Sequence, residues 1–407
     1  MKENIQKSSK VALLVSNSHL WGLWFYKALI SVNLSIEPIL VDQIDDNFSK
    51  KYCALFVPGG WSKNKLESLS ERQREIIREF LQKGGLYFGI CGGASLAGAE
   101  GLGIIQVRRK KERIPSYSGP SLINAKDKVL FQNIKKPLFY LWFPPEWDIA
   151  GGKDLKILAT FSQALPSAYT SDLCLGDHYD NLDYYEKIYG IPLHPEKMKD
   201  KVLFIEASYG KGNVFLSLIH FDTPNCQNSK IFWKNFISRN HLPLSLSEDK
   251  SPKSVLSTSS FSLAQNLLRK TKNLYKKVNN LLHFGVRNFL YHQRYSFFYQ
   301  WKRGIRGLEL LNLYYMFREI INTLRHNFFS TETLEKISLI VESLENTLPL
   351  VLKGLEKDMY GFLYKEKILK EEEEREIFGA NVKSYGGIYK EVINRLEEIL
   401  VYLWQAL

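Results

Sequence analysis

Cysteine is scarce. Cys53, Cys91, Cys174 and Cys226 are scattered along 407 residues with no CxxC or Cys/His spacing. That usage argues against a disulfide framework and a zinc site, and it fits a reducing, cytoplasmic setting. Long apolar runs are missing too: none reaches the roughly 18 to 20 residues that a membrane-spanning helix needs. The opening Met1-Lys2-Glu3-Asn4-Ile5-Gln6-Lys7 has no apolar signal core, so no secretory leader is expected. No internal repeat is visible. Acidic residues nearly vanish from one stretch: residues 251–330 hold 13 Lys/Arg against 2 Asp/Glu, whereas residues 331–407 hold 10 against 15. Of the +12 for the whole chain, the first 250 residues supply +6, and the densest positive charge, +11, lies in the 80 residues that follow them.

The N-terminal half alternates apolar runs with amphipathic stretches. Val11 to Val15, Pro38 to Val41, Ala54 to Val57 and Leu86 to Ile90 read as buried strands. Between them, Trp21, Trp24, Phe25, Ala28 and Leu29 share a helical face. A second helix carries Ile76, Ile77, Phe80 and Leu81, opened by Ser70-Glu71-Arg72-Gln73 and closed by Gly84-Gly85. Strand alternating with helix predicts an α/β fold with a doubly wound, mostly parallel sheet, whose functional loops lie at the carboxyl ends of the strands. Residues 103–165 read as strands joined by irregular loops, with a basic turn at Arg108-Arg109-Lys110-Lys111 and an aromatic strand at Phe139 to Phe143. Residues 166–200 read as an extended Tyr- and Asp-rich insertion. A hairpin, Val202 to Ala207 and Val214 to Ile219, leads to His220-Phe221-Asp222, and a last helix spans roughly 228–239.

Chemistry is concentrated at two glycine-rich turns. In Gly89-Ile90-Cys91-Gly92-Gly93 an apolar strand stops at a cysteine followed by tiny residues, the cysteine form of a nucleophile elbow. A thiol there sits at a helix start, where backbone N–H groups favour the thiolate. Val57-Pro58-Gly59-Gly60 ends the preceding strand. Backbone N–H groups of Gly60 and Gly92 suit an oxyanion hole, because glycine lets a carbonyl approach closely. His220 ends a late strand as candidate general base, and Asp222 stands two residues on to hold the imidazole in its tautomer. Cys91, His220 and Asp222 with Gly59, Gly60 and Gly92 thus form a set suited to attack on an amide or ester carbonyl through a thioester. Three bland readings stand beside it: His194-Pro195-Glu196 as a decoy dyad; Asp177, His178 and Glu146 as solvated loop residues in preference to pocket groups; Lys153, Asp154 and the Arg108–Lys111 turn as surface charges.

These motifs at this spacing resemble the class I glutamine amidotransferase-like superfamily, and within it the group named for the biotin–protein ligase N-terminal domain, over about residues 1–240. The resemblance implies a flavodoxin-like fold and a Cys-His-Glu triad, hence roles for Cys91 and His220. Asp222 stands where Glu is usual, one methylene shorter. No biotin-transferring part, Gly-rich biotin or ATP loop, or synthetase domain is visible, so no ligase activity and no cofactor are implied. Glutamine-fed transfer would need a separate acceptor protein; the substrate class is a small-molecule or peptide amide. The alternative is an idle amidotransferase-like scaffold.

The organisation expected is an α/β domain over 1–242, a Ser-rich linker over 243–260 and a helical bundle over 261–407. Three stripes mark five or six bundle helices: Leu263 to Leu281, Leu334 to Leu348 and Ile388 to Leu403. Residues 269–306 interleave Arg and Lys with aromatic rings. The plainest expectation is an amphipathic helix pair with rings inside and cations outside, facing the acidic 371–376 run. Peripheral contact with an anionic membrane is an alternative; nucleic acid is less favoured, since no compact nucleic-acid motif is present. Glu371 to Glu374 reads as a solvated helix face.

Overall fold

The computed structural model describes residues 10–112, 114–149, 155–245, 258–380 and 384–407. Lys153, Asp154 and most of the Ser-rich linker lie outside the described residues. The chain forms two compact units: residues 1–14 with 21–246, and residues 15–20 with 247–407.

In the first unit the chain runs β1 (Lys10–Leu14), α1 (Leu20–Ile30), β2 (Ile36–Ile39), α2 (Phe48–Lys51), β3 (Tyr52–Val57), α3 (Ser62–Ser68), α4 (Glu71–Gln82), β4 (Leu86–Ile90) and α5 (Gly92–Ala97). Then follow β5 (Val107–Arg109), β6 (Tyr117–Ala125), β7 (Leu138–Trp142), β8 (Trp147–Ile149), β9 (Lys156–Ala164), β10 (Tyr169–Thr170) and β11 (Leu173–Cys174). The unit closes with α6 (Leu175–His178), α7 (Leu182–Tyr189), β12 (Val202–Tyr209), β13 (Gly212–Ser217) and α8 (Gln227–Arg239).

One 11-stranded sheet carries the architecture, in the order β11-β10-β6-β9-β12-β13-β4-β3-β1-β2, with β7 paired to β6. From β2 through β1, β3 and β4 to β13 every pairing is parallel. This is the flavodoxin-like order with β13 as its fifth strand. From β12 outward the pairings are antiparallel. The parallel strands are continuous apolar runs because both their faces are covered: Val11 to Leu14, Ala54 to Val57 and Leu86 to Ile90 are all buried. Helix α4 starts where Ser70 and Gln73 form a reciprocal capping box.

One aromatic cluster fills the core under this sheet. Phe88 lies 5.0 Å from Trp233 and 4.9 Å from Phe236, and Phe221 stacks on Phe232 at 3.6 Å with 4° between planes. Burial of each such ring contributes about 1.5–3 kcal/mol, so the segment carrying Phe221 is firmly fixed.

Three expectations change here. The first half of the Arg108–Lys111 turn is strand: Arg108 and Arg109 lie in β5, which pairs antiparallel with β8. The 166–200 insertion contains the paired strands β10 and β11 and the helix α7. The second strand lies at Ile36–Ile39, two residues earlier than its apolar run, because it pairs residue for residue with Val11–Leu14.

The second unit comprises α9 (Thr258–Arg287), β14 (Tyr291–Tyr295), β15 (Phe298–Trp301), α10 (Gly307–His326), α11 (Thr331–Tyr364), α12 (Glu371–Phe378) and α13 (Gly387–Gln405). The α/β architecture followed by a helical region is as expected, with five helices among the described residues. The basic, aromatic stretch is not a helix pair, however. After α9 it folds into the antiparallel β14–β15 hairpin, which buries Tyr291, Phe298 and Gln300. The acidic run is partnered as much as solvated: Glu373 takes Lys357 at 2.6 Å, Glu371 takes Lys367 at 2.7 Å, and Glu374 pairs with Arg306.

Residues 15–20 belong to this unit although they directly follow β1. The reason is Glu397 on α13, 1% exposed, whose carboxylate accepts the N–H groups of Asn17, Ser18 and His19, each at 2.7 Å. The Tyr385 hydroxyl donates to Asn17 Oδ1 at 2.7 Å, and Asn312 Nδ2 meets His19 Nδ1 at 2.9 Å. No helix among the described residues is long and apolar enough to cross a membrane.

Candidate active site

Cys91 lies between β4 and α5 with φ 49° and ψ −103°. A non-glycine residue is held there only when its surroundings over-determine it, at about 1–3 kcal/mol. The restraints are visible. The Cys91 N–H donates to the Ser217 carbonyl at 2.7 Å, and its own carbonyl accepts the Ser95 N–H at 2.9 Å. The Tyr87 hydroxyl, buried in β4, donates to the Gly93 carbonyl at 2.7 Å. The bend therefore has the form of a nucleophile elbow.

The small residues beside it are required by close approach. A Cβ on Gly92 would stand 1.9 Å from the Gly60 oxygen, and one on Gly93 would stand 2.1 Å from the Val57 oxygen. The two glycine-rich turns thus press directly on each other, and Gly60, at φ 109°, takes a backbone conformation that side chains disfavour. Gly59 lies at the same edge: a Cβ there would meet Trp21 Cγ at 3.2 Å and His220 Cε1 at 3.3 Å.

His220 arrives from the other side of the sheet seam. β13 pairs in parallel with β4, Ser217 opposite Ile90, so the chain leaving β13 emerges beside the elbow. The His220 N–H donates to the Tyr140 carbonyl at 2.9 Å. Its Nδ1 lies 2.9 Å from Asp222 Oδ1, both residues being 1% exposed. Phe221, between them, enters the aromatic core, and its carbonyl accepts Trp233 Nε1–H at 2.8 Å. A ring buried on one side of the segment fixes the two polar side chains that flank it.

Burial disfavours the imidazolium, but the Asp222 carboxylate and the Cys91 thiol outweigh it and raise His220 to about 9. Cys91 is near enough to bear on the charge of the ring. Nε2 nonetheless closes no hydrogen bond among the described residues, and neither does Asp222 Oδ2.

Residues 16–101 match the family described as biotin-protein ligase, N terminal. The matched stretch contains Gly59, Gly60, Cys91 and Gly92; His220 and Asp222 lie beyond it. The resemblance to the amidotransferase-like group thus rests on the half of the site that holds the thiol. No curated protein matches the chain. Among solved structures, the chain is similar to a glutamine amidotransferase from Thermotoga maritima, at 14% identity over 58% of this chain and 84% of that one, with TM-score 0.34. It is similar to the PurLQS structure from Thermotoga maritima, at 12% identity over 57% of this chain and 99% of that one, with TM-score 0.37. A beta-galactosidase from Bacillus circulans sp. alkalophilus matches at 11% identity over 59% of this chain and 32% of that one, with TM-score 0.38.

The residues weighed as loop groups fall elsewhere. His194 is held by Asp183 at 2.9 Å and faces Glu196 at 3.4 Å, within its own surface segment. Glu146 is neither a pocket group nor a solvated loop residue: it bridges Lys110 at 2.8 Å and Lys201 at 2.7 Å. Burial raises its carboxyl, but the two ammonium groups bring it below its ordinary range.

An indole wall borders His220. Trp21 lies 4.9 Å from the His220 ring, and Trp142, whose Nε1 donates to Thr223 at 3.0 Å, lies 6.0 Å from Trp21. The only trace in the sequence is that Trp21 and Trp142 follow or end apolar strands whose carboxyl ends meet here.

Proposed function

We propose that the first unit is a cysteine-dependent amidohydrolase or amidotransferase-like enzyme acting on an amide or ester carbonyl. Cys91 is the nucleophile, His220 the proton carrier and Asp222 the group that orients and charges the imidazole. One observation carries this reading: His220 is fixed to Asp222 at 2.9 Å and raised to about 9 with the Cys91 thiol among the causes. A buried imidazole oriented by Asp222 beside the thiol is placed to carry the proton that the sulfur gives up.

The thiolate sulfur then forms a bond to the carbonyl carbon, and the carbonyl π pair moves onto oxygen. Collapse of that oxyanion breaks the C–N bond as the His220 imidazolium gives its proton to the leaving nitrogen, which departs as ammonia or an amine. Water, deprotonated by His220, cleaves the thioester and restores the thiol. Backbone N–H groups at the Gly60 and Gly92 turns receive the oxyanion in this scheme. The indole wall around His220 supports it by keeping bulk water from the imidazole.

The test is to incubate wild type and Cys91→Ala with glutamine and short amides and to read intact mass. A thioester adduct in wild type alone is the expected result. If no adduct forms, and iodoacetamide labels Cys91 no faster than Cys53 or Cys174 at neutral pH, the unit is not a cysteine enzyme.

A further inference from the structure

Helix α9 has one face that nothing in the proposed chemistry uses. Its 30 residues contain no Asp or Glu. The buried side, with Leu267, Leu274, Val278 and Leu282, belongs to the core of the second unit. On the other side, Arg269, Lys272, Lys276, Asn280, His283 and Arg287 are all exposed. Their spacings of three and four residues put them on a single line about 27 Å long. Lys270, off that line, pairs with Glu342 at 3.0 Å, whereas Arg269, Lys272, Lys276 and Arg287 form no ion pair among the described residues. Asn280, His283, Val286 and Arg287 line an open hollow at the far end of the stripe.

An exposed apolar ring stands at each end of the helix. Phe261, in the first turns of α9 and on the side of the stripe, is 52% exposed. Phe289, just past the other end, is 84% exposed and has φ 58°. The Leu290 N–H donates to the Gly285 carbonyl at 2.9 Å and the Phe289 N–H to the Val286 carbonyl at 3.1 Å. That pair of bonds is a Schellman cap, in which the left-handed position ordinarily belongs to glycine. Phenylalanine there is strained and leaves its ring in water, an arrangement that folding alone does not explain.

The partner follows from which rings are free. Tyr275 lies 5.6 Å from Tyr314, Phe284 5.1 Å from Tyr360 and Tyr299 6.1 Å from Tyr314, while Phe298 is buried. Tyr275, Phe284, Phe298 and Tyr299 are thus occupied within the second unit, and Tyr295 stacks on Phe297 at 5.1 Å in the hairpin. They make no row of platforms for successive bases, which single-stranded nucleic acid needs. A straight line of cations with apolar rings at its two ends suits a plane of phosphates over hydrocarbon. We propose that this face of α9 docks flat on a bilayer containing anionic lipid, with Phe261 and Phe289 entering the headgroup–acyl boundary.

The test uses the full chain and sedimentation with phosphatidylcholine vesicles, with and without phosphatidylserine, at low and high salt. Wild type should bind only the anionic vesicles, and salt should weaken the binding. Arg269→Glu/Lys272→Glu/Lys276→Glu/Arg287→Glu should reduce partitioning by on the order of a hundredfold or more, since each basic group near such a surface contributes about fivefold. Lys126→Glu/Lys128→Glu/Lys135→Glu/Lys136→Glu makes the same charge change at exposed lysines of the first unit and should bind at least about tenfold better than the α9 variant. Phe289→Gly should reduce binding several-fold without altering its salt dependence, and it serves as the readout if the quadruple α9 variant fails to fold by circular dichroism. Equal binding by the two quadruple variants, equal binding of wild type to neutral vesicles, or an unaltered Phe289→Gly overturns the proposal. Tighter binding of a single-stranded RNA oligomer through the same four cations would assign the face to nucleic acid instead.

Discussion

Replacing Asp222 by Asn tests the site most directly, because it removes one charge and keeps the shape. His220 stands at about 9 in the folded chain against an ordinary 6.5. At about 1.4 kcal/mol per tenfold change, holding the proton there is worth about 3 kcal/mol to the fold. The pair is fully buried, so solvent screening does not reduce that figure much. The folded value lies above the unfolded one. The contribution is therefore complete below about pH 6.5 and is lost as pH rises through about 9. In Asp222→Asn the opposing effect of burial loses its main counterweight, and His220 should fall toward or below 6.5.

Proton NMR of the imidazole Cε1–H, assigned with a His220→Gln variant, reads the titration. Iodoacetamide labelling of Cys91 across pH reads its consequence, with a loss of at least about tenfold in rate at pH 7 expected for Asp222→Asn. A wild-type His220 that titrates near 6.5, or one that the substitution leaves in place, would refute the charge argument, and the proposed role of Asp222 with it.

Gly92→Ala drives a methyl group onto the Gly60 oxygen and should cost about 1–3 kcal/mol while slowing Cys91 labelling, both readable on the same sample. Glu397→Ala strips three buried N–H groups of their acceptor; a loss of about 3 kcal/mol or more is expected by thermal unfolding, with Glu397→Gln recovering a good part of it. Phe289→Gly relieves a left-handed phenylalanine and should stabilise the second unit by about 1 kcal/mol even as vesicle binding declines. A neutral or destabilising result there would mean that the ring supports the fold.

What was legible in the sequence is what local chemistry decides. Strands β1, β3 and β4 declared themselves as unbroken apolar runs, α4 by its Ser70–Gln73 box, and the elbow by Cys91 between a strand and small residues. The His220–Asp222 contact was legible because the two residues flank one buried ring. What long-range packing decides was not legible. The β14–β15 hairpin has no Gly or Asn at its Ser296-Phe297 turn, so its alternation was hidden under helical spacing on both sides. The short β10 exists only by pairing to β6, and β11 only by pairing to β10. Trp21 and His220 come together through the sheet, and Glu397 meets residues some 380 positions earlier in the chain, with no local mark on either.

That last feature bears on how the molecule can be divided. A chain cut after residue 245 would keep Asn17, Ser18 and His19 but leave behind the carboxylate that anchors them. Their three amides would then need water or a new conformation, immediately upstream of the Trp21 that leans on His220. The visible seam in composition is thus the wrong place for scissors: the severed α/β half would start its first helix from a slackened tether.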